Sequence, residues 1–451
     1  MRILHALNSF PPRSRAGSEN YVEALALEQK KRHDVSILYR EDDLDRLEYE
    51  ARSEEWRGMP VHVVNRTFRD VQDFRETYAS APLAEAVRAR LEAWRPHVVH
   101  FHHVSCLSTT SIEAAHDLGI AVVFTLHDYW LTCPRGQRVR RDLSLCEKPT
   151  EVDCVDCMAA QLRIRGGYAR TRELWQRTKR LPKARLARSI YQRIASRPFQ
   201  DEQAAIEQIR ARTAHVHSVA KSVGRFVSPS RWLRDAFVAD GFPADRIRVL
   251  DNGYDRSAWQ DAAVRRPRPS GSPLRLAYLG TWIPTKGVDI LIEAVRDLGA
   301  DEVTLDVHGF AVPYEGAEDY ESRLRDRAAD QPQIRLHGRY DPGDVPGLLA
   351  NTDVLVVPST WYENSPLTVH EAFLSGVPVI ASDHGGLREF VRHGENGLTF
   401  PPGDVAALRA LILDLSRDPS KLDGLRVDTR DVMSIDDHAA ALDSIYQELL
   451  E

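Results

Sequence analysis

Cysteine is scarce in this chain, with five in 451 residues, an odd number. A secreted fold held by a disulfide framework needs more of them and in pairs, so that class is excluded. Long apolar runs are also lacking. The longest, Ile120–Leu126, falls far short of the roughly 18 residues a membrane span requires. The first residues show neither the extended apolar segment nor the small-residue cleavage site of a signal peptide. No strong excess of one charge sign is present: the formal net charge is -6, too small to imply a global attraction to nucleic acid. With 43% apolar and 28% charged residues, the composition is that of a soluble globular protein, expected in the cytoplasm.

What is present is alternation. Apolar runs at Ile3–Leu7, Val35–Tyr39, Val98–Phe101, Ala121–Leu126, Arg225–Val227 and Ile247–Leu250 form one series. Leu274–Leu279, Val303–Val307, Ile334–His337, Val354–Val357 and Val379–Ala381 form another. Between them, stretches near 18–31, 80–94, 286–298, 318–329, 343–350, 366–375 and 404–416 repeat apolar residues at helical spacing. Continuous apolar strands separated by helices predict parallel sheets covered on both faces. Two series predict two doubly wound α/β domains, and 451 residues suit two cores of about 200 each. The proline-rich stretch 265–273 reads as the linker. The expected division is 1–264, 265–434, and a terminal helix, 435–451. A stretch of about 130–215 interrupts the first domain and reads as an insertion outside its core. Within it, 161–200 holds twelve Lys or Arg against one acid, Glu173.

The segment Pro358–Ile380 carries the most chemistry. Strand 354–357 ends in a loop, and a helix then begins, with Ser365 expected as N-cap and Pro366 at the first helical position. That start leaves the amides of Leu367 and Thr368 facing outward with the positive end of the helix dipole behind them, an anion site suited to a diphosphate. Glu363 precedes the helix. Glu371 lies about 7.5 Å further along it at 1.5 Å per residue, a depth at which a carboxylate could meet a ribose.

Glu363 and Glu371, eight residues apart and followed by Ala372–Ile380 and Ser382–Glu389, resemble the signature of the family-4 retaining glycosyltransferases. Pro11-Pro12 with Ala16-Gly17-Ser18-Glu19, Val98–His102, Thr125–Asp128, Asn252–Asp255, Gly280, Lys286-Gly287 and Gly394–Leu398 extend the resemblance along the chain. The resemblance implies a GT-B fold with the donor between two Rossmann-like domains and a last helix crossing back. It implies a retaining transferase that takes a nucleotide diphosphate sugar, in polysaccharide, glycolipid or secondary-metabolite biosynthesis. By position, His127 and Glu363 would meet the sugar, and Glu371 the ribose. Lys286 and the segment Asn364-Ser365-Pro366-Leu367-Thr368 would hold the diphosphate, and Gly17 would let the first loop approach it. No cofactor is expected for catalysis. One position departs from the pattern: Thr281 follows Gly280 where the family commonly has an arginine, and neither Arg275 nor Arg388 is a clear substitute. A sugar phosphorylase, a nucleotide-sugar epimerase or an inactive sugar-binding protein of the same fold are the alternative readings.

Two features fall outside that resemblance. Cys133, Cys146, Cys154 and Cys157 lie within 25 residues, the last two with the spacing of a metal knuckle. Four thiolates complete a tetrahedral zinc site and would equally hold an iron–sulfur cluster. The basic 161–200 stretch, with aromatic and aliphatic residues among its arginines, suits either a solvated hairpin or a peripheral contact with anionic lipid near a membrane-linked acceptor.

Overall fold

The computed structural model describes residues 1–163, 201–260, 266, 268–269 and 271–451. Its first sheet has eight strands: β1 (Arg2–Leu7), β2 (Asp34–Glu41), β3 (Ala51–Trp56), β4 (Met59–Asn65), β5 (Val98–Phe101), β6 (Ala121–Thr125), β7 (Arg225–Ser228) and β8 (Ile247–Val249). They run in the order β3-β4-β2-β1-β5-β6-β7-β8, all parallel except the antiparallel pair β3 and β4. The second sheet has six: β9 (Leu274–Leu279), β10 (Val303–His308), β11 (Ile334–Gly338), β12 (Val354–Val357), β13 (Val379–Ser382) and β14 (Gly397–Phe400). Their order is β11-β10-β9-β12-β13-β14, all parallel.

The central strands are buried along their whole length because helices cover both faces, so their side chains need not alternate. The edge strand β3 is different. Its Ser53-Glu54-Glu55 face solvent, which hides the strand from any search for apolar runs and also discourages edge-to-edge association. The short β14 was hidden for a similar reason, with Gly397 and Thr399 in a four-residue strand.

Strand order reverses between β1 and β5 in the first sheet and between β9 and β12 in the second. Crevices for ligands open at such switch points, beyond the carboxyl ends of the strands. The loops that follow β1, β6, β9 and β12 carry Gly17, His127, Lys286 and Glu363 respectively. The fold thereby brings residues up to 346 positions apart to facing crevices.

The last helix, Ile435–Leu450, leaves the second domain and packs on the first, where Ile435, Ala439, Leu442, Ile445 and Tyr446 join Tyr21, Val22, Leu25 and Ile37 in one buried cluster. Its entry is tight. A side chain at Gly253 would come within 2.5 Å of His438 Cβ, and Tyr254 exchanges backbone hydrogen bonds with Met433 and Ile435.

The expected insertion, about 130–215, requires correction at its far end. Helix Glu202–Ala220 is the crossover from β6 to β7, and its Val216, Val219 and Ala220 belong to the first domain's main core. Polar residues on its outer turns masked that role in the sequence. The basic stretch lies outside the described residues from 164 to 200, as do 261–265, 267 and 270 of the linker region. No described helix is long and apolar enough to cross a membrane.

Candidate functional site

The second domain contributes a charged half-site. Glu363, almost fully buried, accepts at Oε1 from Lys286 Nζ (2.6 Å), Ser359 Oγ (2.6 Å) and Trp361 Nε1 (2.8 Å). Lys286 also lies over the Trp361 ring, 5.2 Å from its centroid. Gly287 makes this approach possible. Its φ is 69°, and a side chain there would meet the Pro358 carbonyl at 2.0 Å.

Helix Leu367–Leu374 starts one residue later than the sequence suggested. Pro366 is its N-cap, with no side-chain cap, and Ser365 instead donates to Asp251 Oδ1 at 2.7 Å. The carboxylate of Asp251 outcompetes the helix amides for that hydroxyl and also meets His370 Nε2 at 2.9 Å. The correction leaves the Leu367 and Thr368 amides uncapped, as an anion site requires. Glu371 is half-buried one turn deeper. Desolvation pushes its carboxyl up to about 7, against a smaller opposing effect of His370.

The first domain contributes a neutral half-site. His127 Nε2 meets His102 Nδ1 at 3.2 Å, His102 Nε2 meets His5 Nδ1 at 3.0 Å, and His5 Nε2 meets Gln29 Oε1 at 2.9 Å. Gln29 Nε2 donates to Asp443 on the terminal helix at 3.1 Å. Since the Gln29 amide nitrogen is the donor to Asp443, its oxygen must accept, and every tautomer in the row then follows. His5 and His102 are Nε2–H, and His127 donates its own Nε2–H inward while its Nδ1 stays a bare acceptor. Burial keeps these rings uncharged, lowering His127 to about 3 and His5 to about 4, and His102 well below its ordinary value. Tyr21 packs edge-on against His127 and hydrogen-bonds His438 at 2.6 Å.

The two half-sites touch. Asn364 Nδ2 donates to the His127 carbonyl at 2.8 Å. Gly17 opens the first helix, Gly17–Gln29, which also lacks a side-chain cap, and a Cβ there would lie 3.4 Å from Leu367 Cδ1. Two uncapped helix starts therefore face each other, Lys286 belongs to the same crevice, and anionic charge between them is favoured from both sides. Among the described residues, the buried atoms Thr285 Oγ1, Asn364 Oδ1 and His384 Nδ1, all in strand-end loops, have no hydrogen-bond partner. Such groups are costly unless a ligand satisfies them. Sequence reasoning missed Asp251, His102 and Tyr21, since no local pattern marks a buried hydrogen-bond partner. Thr281 uses its carbonyl to accept from Tyr278 OH. Arg275 pairs with Asp353 and Arg388 with Asp383, so neither replaces the missing arginine.

The four clustered cysteines come together. Cys133, Cys146, Cys154 and Cys157 all line one cavity of about 20 Å³, and all are free thiols.

The family model of Glycosyl transferases group 1 matches residues 261–431, and that of Glycosyltransferase Family 4 matches 15–160. The chain is 28% identical over 220 residues to a putative colanic acid biosynthesis glycosyltransferase, WcaL, of Salmonella typhimurium, covering 47% of this chain and 52% of WcaL. It is 34% identical over 176 residues to the glycogen synthase of Mycobacterium tuberculosis, covering 39% of this chain and 41% of that protein. The chain thus spans about half the length of the first and less than half of the second of these curated relatives. Among solved structures it resembles Anabaena HepE in complex with UDP and glucose, with a TM-score of 0.64, 17% identity and 99% coverage of both chains. Sucrose-phosphate synthase from Thermosynechococcus elongatus gives 0.63, with 16% identity over 100% of this chain and 99% of that one. These two likenesses concern the fold. With one family model on each domain, and two parallel sheets meeting at their switch points, the chain belongs to the GT-B glycosyltransferases of family 4 and group 1.

Proposed function

We propose that the protein is a retaining glycosyltransferase that moves a sugar from a nucleotide diphosphate donor to an acceptor hydroxyl. The observation that carries this reading is the convergence of two uncapped helix starts, Gly17 and Leu367, with the Lys286–Glu363 pair and the bare Nδ1 of His127. The diphosphate lies between the helix starts, with Lys286 beside it. As the bond to the sugar breaks, negative charge grows on the leaving phosphate, where the ammonium and the helix amides already point. Glu371 accepts from the ribose. His127 Nδ1 accepts from a sugar hydroxyl, because its other nitrogen is committed to His102.

Three hydrogen bonds to Oε1 fix the Glu363 carboxylate in place. It holds the sugar and positions Lys286. The acceptor hydroxyl then enters on the face the phosphate leaves, giving its proton to a phosphate oxygen, so that configuration is kept. The chain's own contribution is alignment and charge stabilisation. A cavity of about 180 Å³ in the first domain, bounded by Phe74, Tyr78, Ser105 and Trp130, is the acceptor entrance we favour, because Trp130 adjoins the His103–Asp128 pair next to His127.

HepE was solved with UDP and with UDP-glucose, which makes uridine diphosphate sugars the first donors to try. Incubation with a panel of nucleotide sugars and acceptors, reading nucleoside diphosphate release and the anomeric configuration of the product, tests the proposal. Release with an α-linked product from an α-linked donor is expected. Dependence on orthophosphate would instead indicate a phosphorylase, conversion of the donor sugar alone an epimerase, and binding without turnover an inactive sugar-binding protein.

A further inference from the structure

We infer that Cys133, Cys146, Cys154 and Cys157 hold one zinc ion, which staples a strap that crosses from the first domain to the second. The four thiols come from three separate local structures. Cys133 opens a turn closed by the Gly136 amide on its carbonyl (2.8 Å), and Cys146 ends a small hairpin in which Val139 bridges Leu145. Cys154 and Cys157 lie one turn apart on helix Glu151–Cys157, whose start is secured by a capping box between Thr150 and Asp153. Cys133 packs against the first domain's main cluster and Cys154 against a smaller one, but the strap between them has little core of its own. Between Cys133 and Pro149, only Gly136, Arg138, Val139 and Cys146 are buried.

The surroundings select both charge and size. Four thiolates around Zn²⁺ carry a net charge of about −2. Arg135 and Arg138 line the cavity while pairing outward with Glu315 and Asp240. Arg212 is buried close by, and among the described residues no carboxylate pairs with it. Its guanidinium donates to the carbonyls of Trp130 and Leu131 and lies over the Trp130 and Tyr78 rings, and the titratable groups acting on it are the Cys133 thiol, the Tyr78 hydroxyl and the Cys154 thiol. A buried cation without a counterion is costly, and an anionic metal centre supplies one. Asp153, also at the cavity, is committed to Thr150 and Arg140. A cavity of about 20 Å³ has room for a single ion.

A rival stands nearer the reaction centre. His5, His100 and His102 have ligand nitrogens within 4.8 Å of one another, a closeness the four thiols lack, so zinc would draw the thiols inward by rotation about χ1. All six nitrogens of those imidazoles, however, are already hydrogen-bonded: His5 and His102 within the chain from Gln29 to His127, and His100 to Tyr446 and Thr125. The cysteine strap also reaches the other domain. Arg135 and Arg141 pair with Glu315 at 3.2 and 3.3 Å, and Gln137 accepts from Tyr314 OH at 2.9 Å. A staple at this place would hold the cleft's two sides in register.

Elemental analysis of the full chain purified without chelator should find about one zinc per chain and no stoichiometric iron. Protein loaded with cobalt(II) should show strong thiolate-to-cobalt charge-transfer absorption. Native protein should offer a thiol reagent Cys106 alone, and four more thiols only after the metal is stripped. Cys154→Ser with Cys157→Ser should lower zinc below about a tenth per chain. Wild-type protein with no zinc, iron in its place, a cobalt spectrum without thiolate bands, or five equally reactive native thiols would each overturn the inference, whatever the folding of the double variant.

Discussion

The two sides of the cleft solve the same problem with opposite electrostatics. The second domain presents formal charge, a lysine against a glutamate that is almost fully buried, and builds it from a short stretch of chain, 359–371, plus Lys286. The first domain presents neutral imidazoles, held uncharged by burial and aligned by a chain of hydrogen bonds running from His127 to Asp443. The difference matches the charge changes of the proposed reaction. A leaving diphosphate gains negative charge and needs a fixed cation opposite it, whereas the sugar stays neutral or becomes cationic and is best held by an acceptor that cannot protonate. Buried charges need partners and tolerate little displacement, so Lys286 and Glu363 come as a pair. Neutral donors and acceptors can be strung over a long path at modest cost per link.

Breaking the charged side should have the largest effect. Lys286→Ala removes the cation at the leaving phosphate and orphans the Glu363 carboxylate. Turnover should fall by roughly 10²–10³-fold, and nucleoside diphosphate affinity by about 1.5–3 kcal/mol. Steady-state rates with calorimetry check both. Equal rates in variant and wild type would place the developing charge elsewhere.

The neutral side should behave differently. His127→Ala should reduce turnover by about tenfold or more while nucleoside diphosphate affinity stays within twofold, if the imidazole meets the sugar and not the nucleotide as proposed. Gln29→Leu tests the row behind it. It leaves His5 without an acceptor and should cost about 1–3 kcal/mol of stability, measured by denaturant unfolding. A variant with unchanged stability would mean that the row does not hold the imidazoles in place.

Glu371 sharpens the comparison through pH. Its folded-state value, raised by burial to about 7, lies above the ordinary carboxyl range. For a carboxyl shifted upward the folded state binds the proton more tightly, so its contribution to stability is greatest in acid and is lost as pH rises through about 7. Ribose recognition needs the ionised form, so affinity for the nucleoside diphosphate should fall as pH drops from 8 to 6. Glu371→Gln should remove that dependence, weaken binding at pH 8, and raise the apo melting temperature there by about 2–4 °C, with no gain near pH 4. Titration calorimetry and thermal scans across pH would show it. A melting gain that persisted in acid would reject burial as the cause.

The smallest effect concerns the departure at Thr281. With Arg275 and Arg388 committed to Asp353 and Asp383, Thr281→Arg should add a cation near the diphosphate and tighten binding by about 2–5-fold, a gain that shrinks at high salt. Binding isotherms at two ionic strengths measure it.

Most of the second domain was legible in the sequence. Its strands are continuous runs such as Val354–Val357, buried on both faces, and its site lies within one segment whose Pro366, Glu363 and Glu371 have fixed local meaning. Ser365 shows the limit even there. A serine before a proline at a helix start reads as a cap, yet Asp251, 114 residues away, takes its hydroxyl. In the first domain more was hidden. Edge strand β3 has no apolar signature, and the crossover helix Glu202–Ala220 was hard to distinguish from the basic stretch before it.

Periodicity and turn chemistry act between neighbours in the chain, so the sequence by itself determined the α/β class, two series of strands, a helix start beside Pro366 and the residues able to carry charge. Which of those residues meet was decided only by tertiary structure. His5 with His102, Asp251 with His370, Tyr21 with His438 and the four thiols around one cavity are joined across 97, 119, 417 and up to 24 residues. Strand order and the returning terminal helix set those meetings, and burial then turned ordinary imidazoles and an ordinary glutamate into groups with shifted protonation. Desolvation depends on everything packed around a side chain, and no window of sequence contains that.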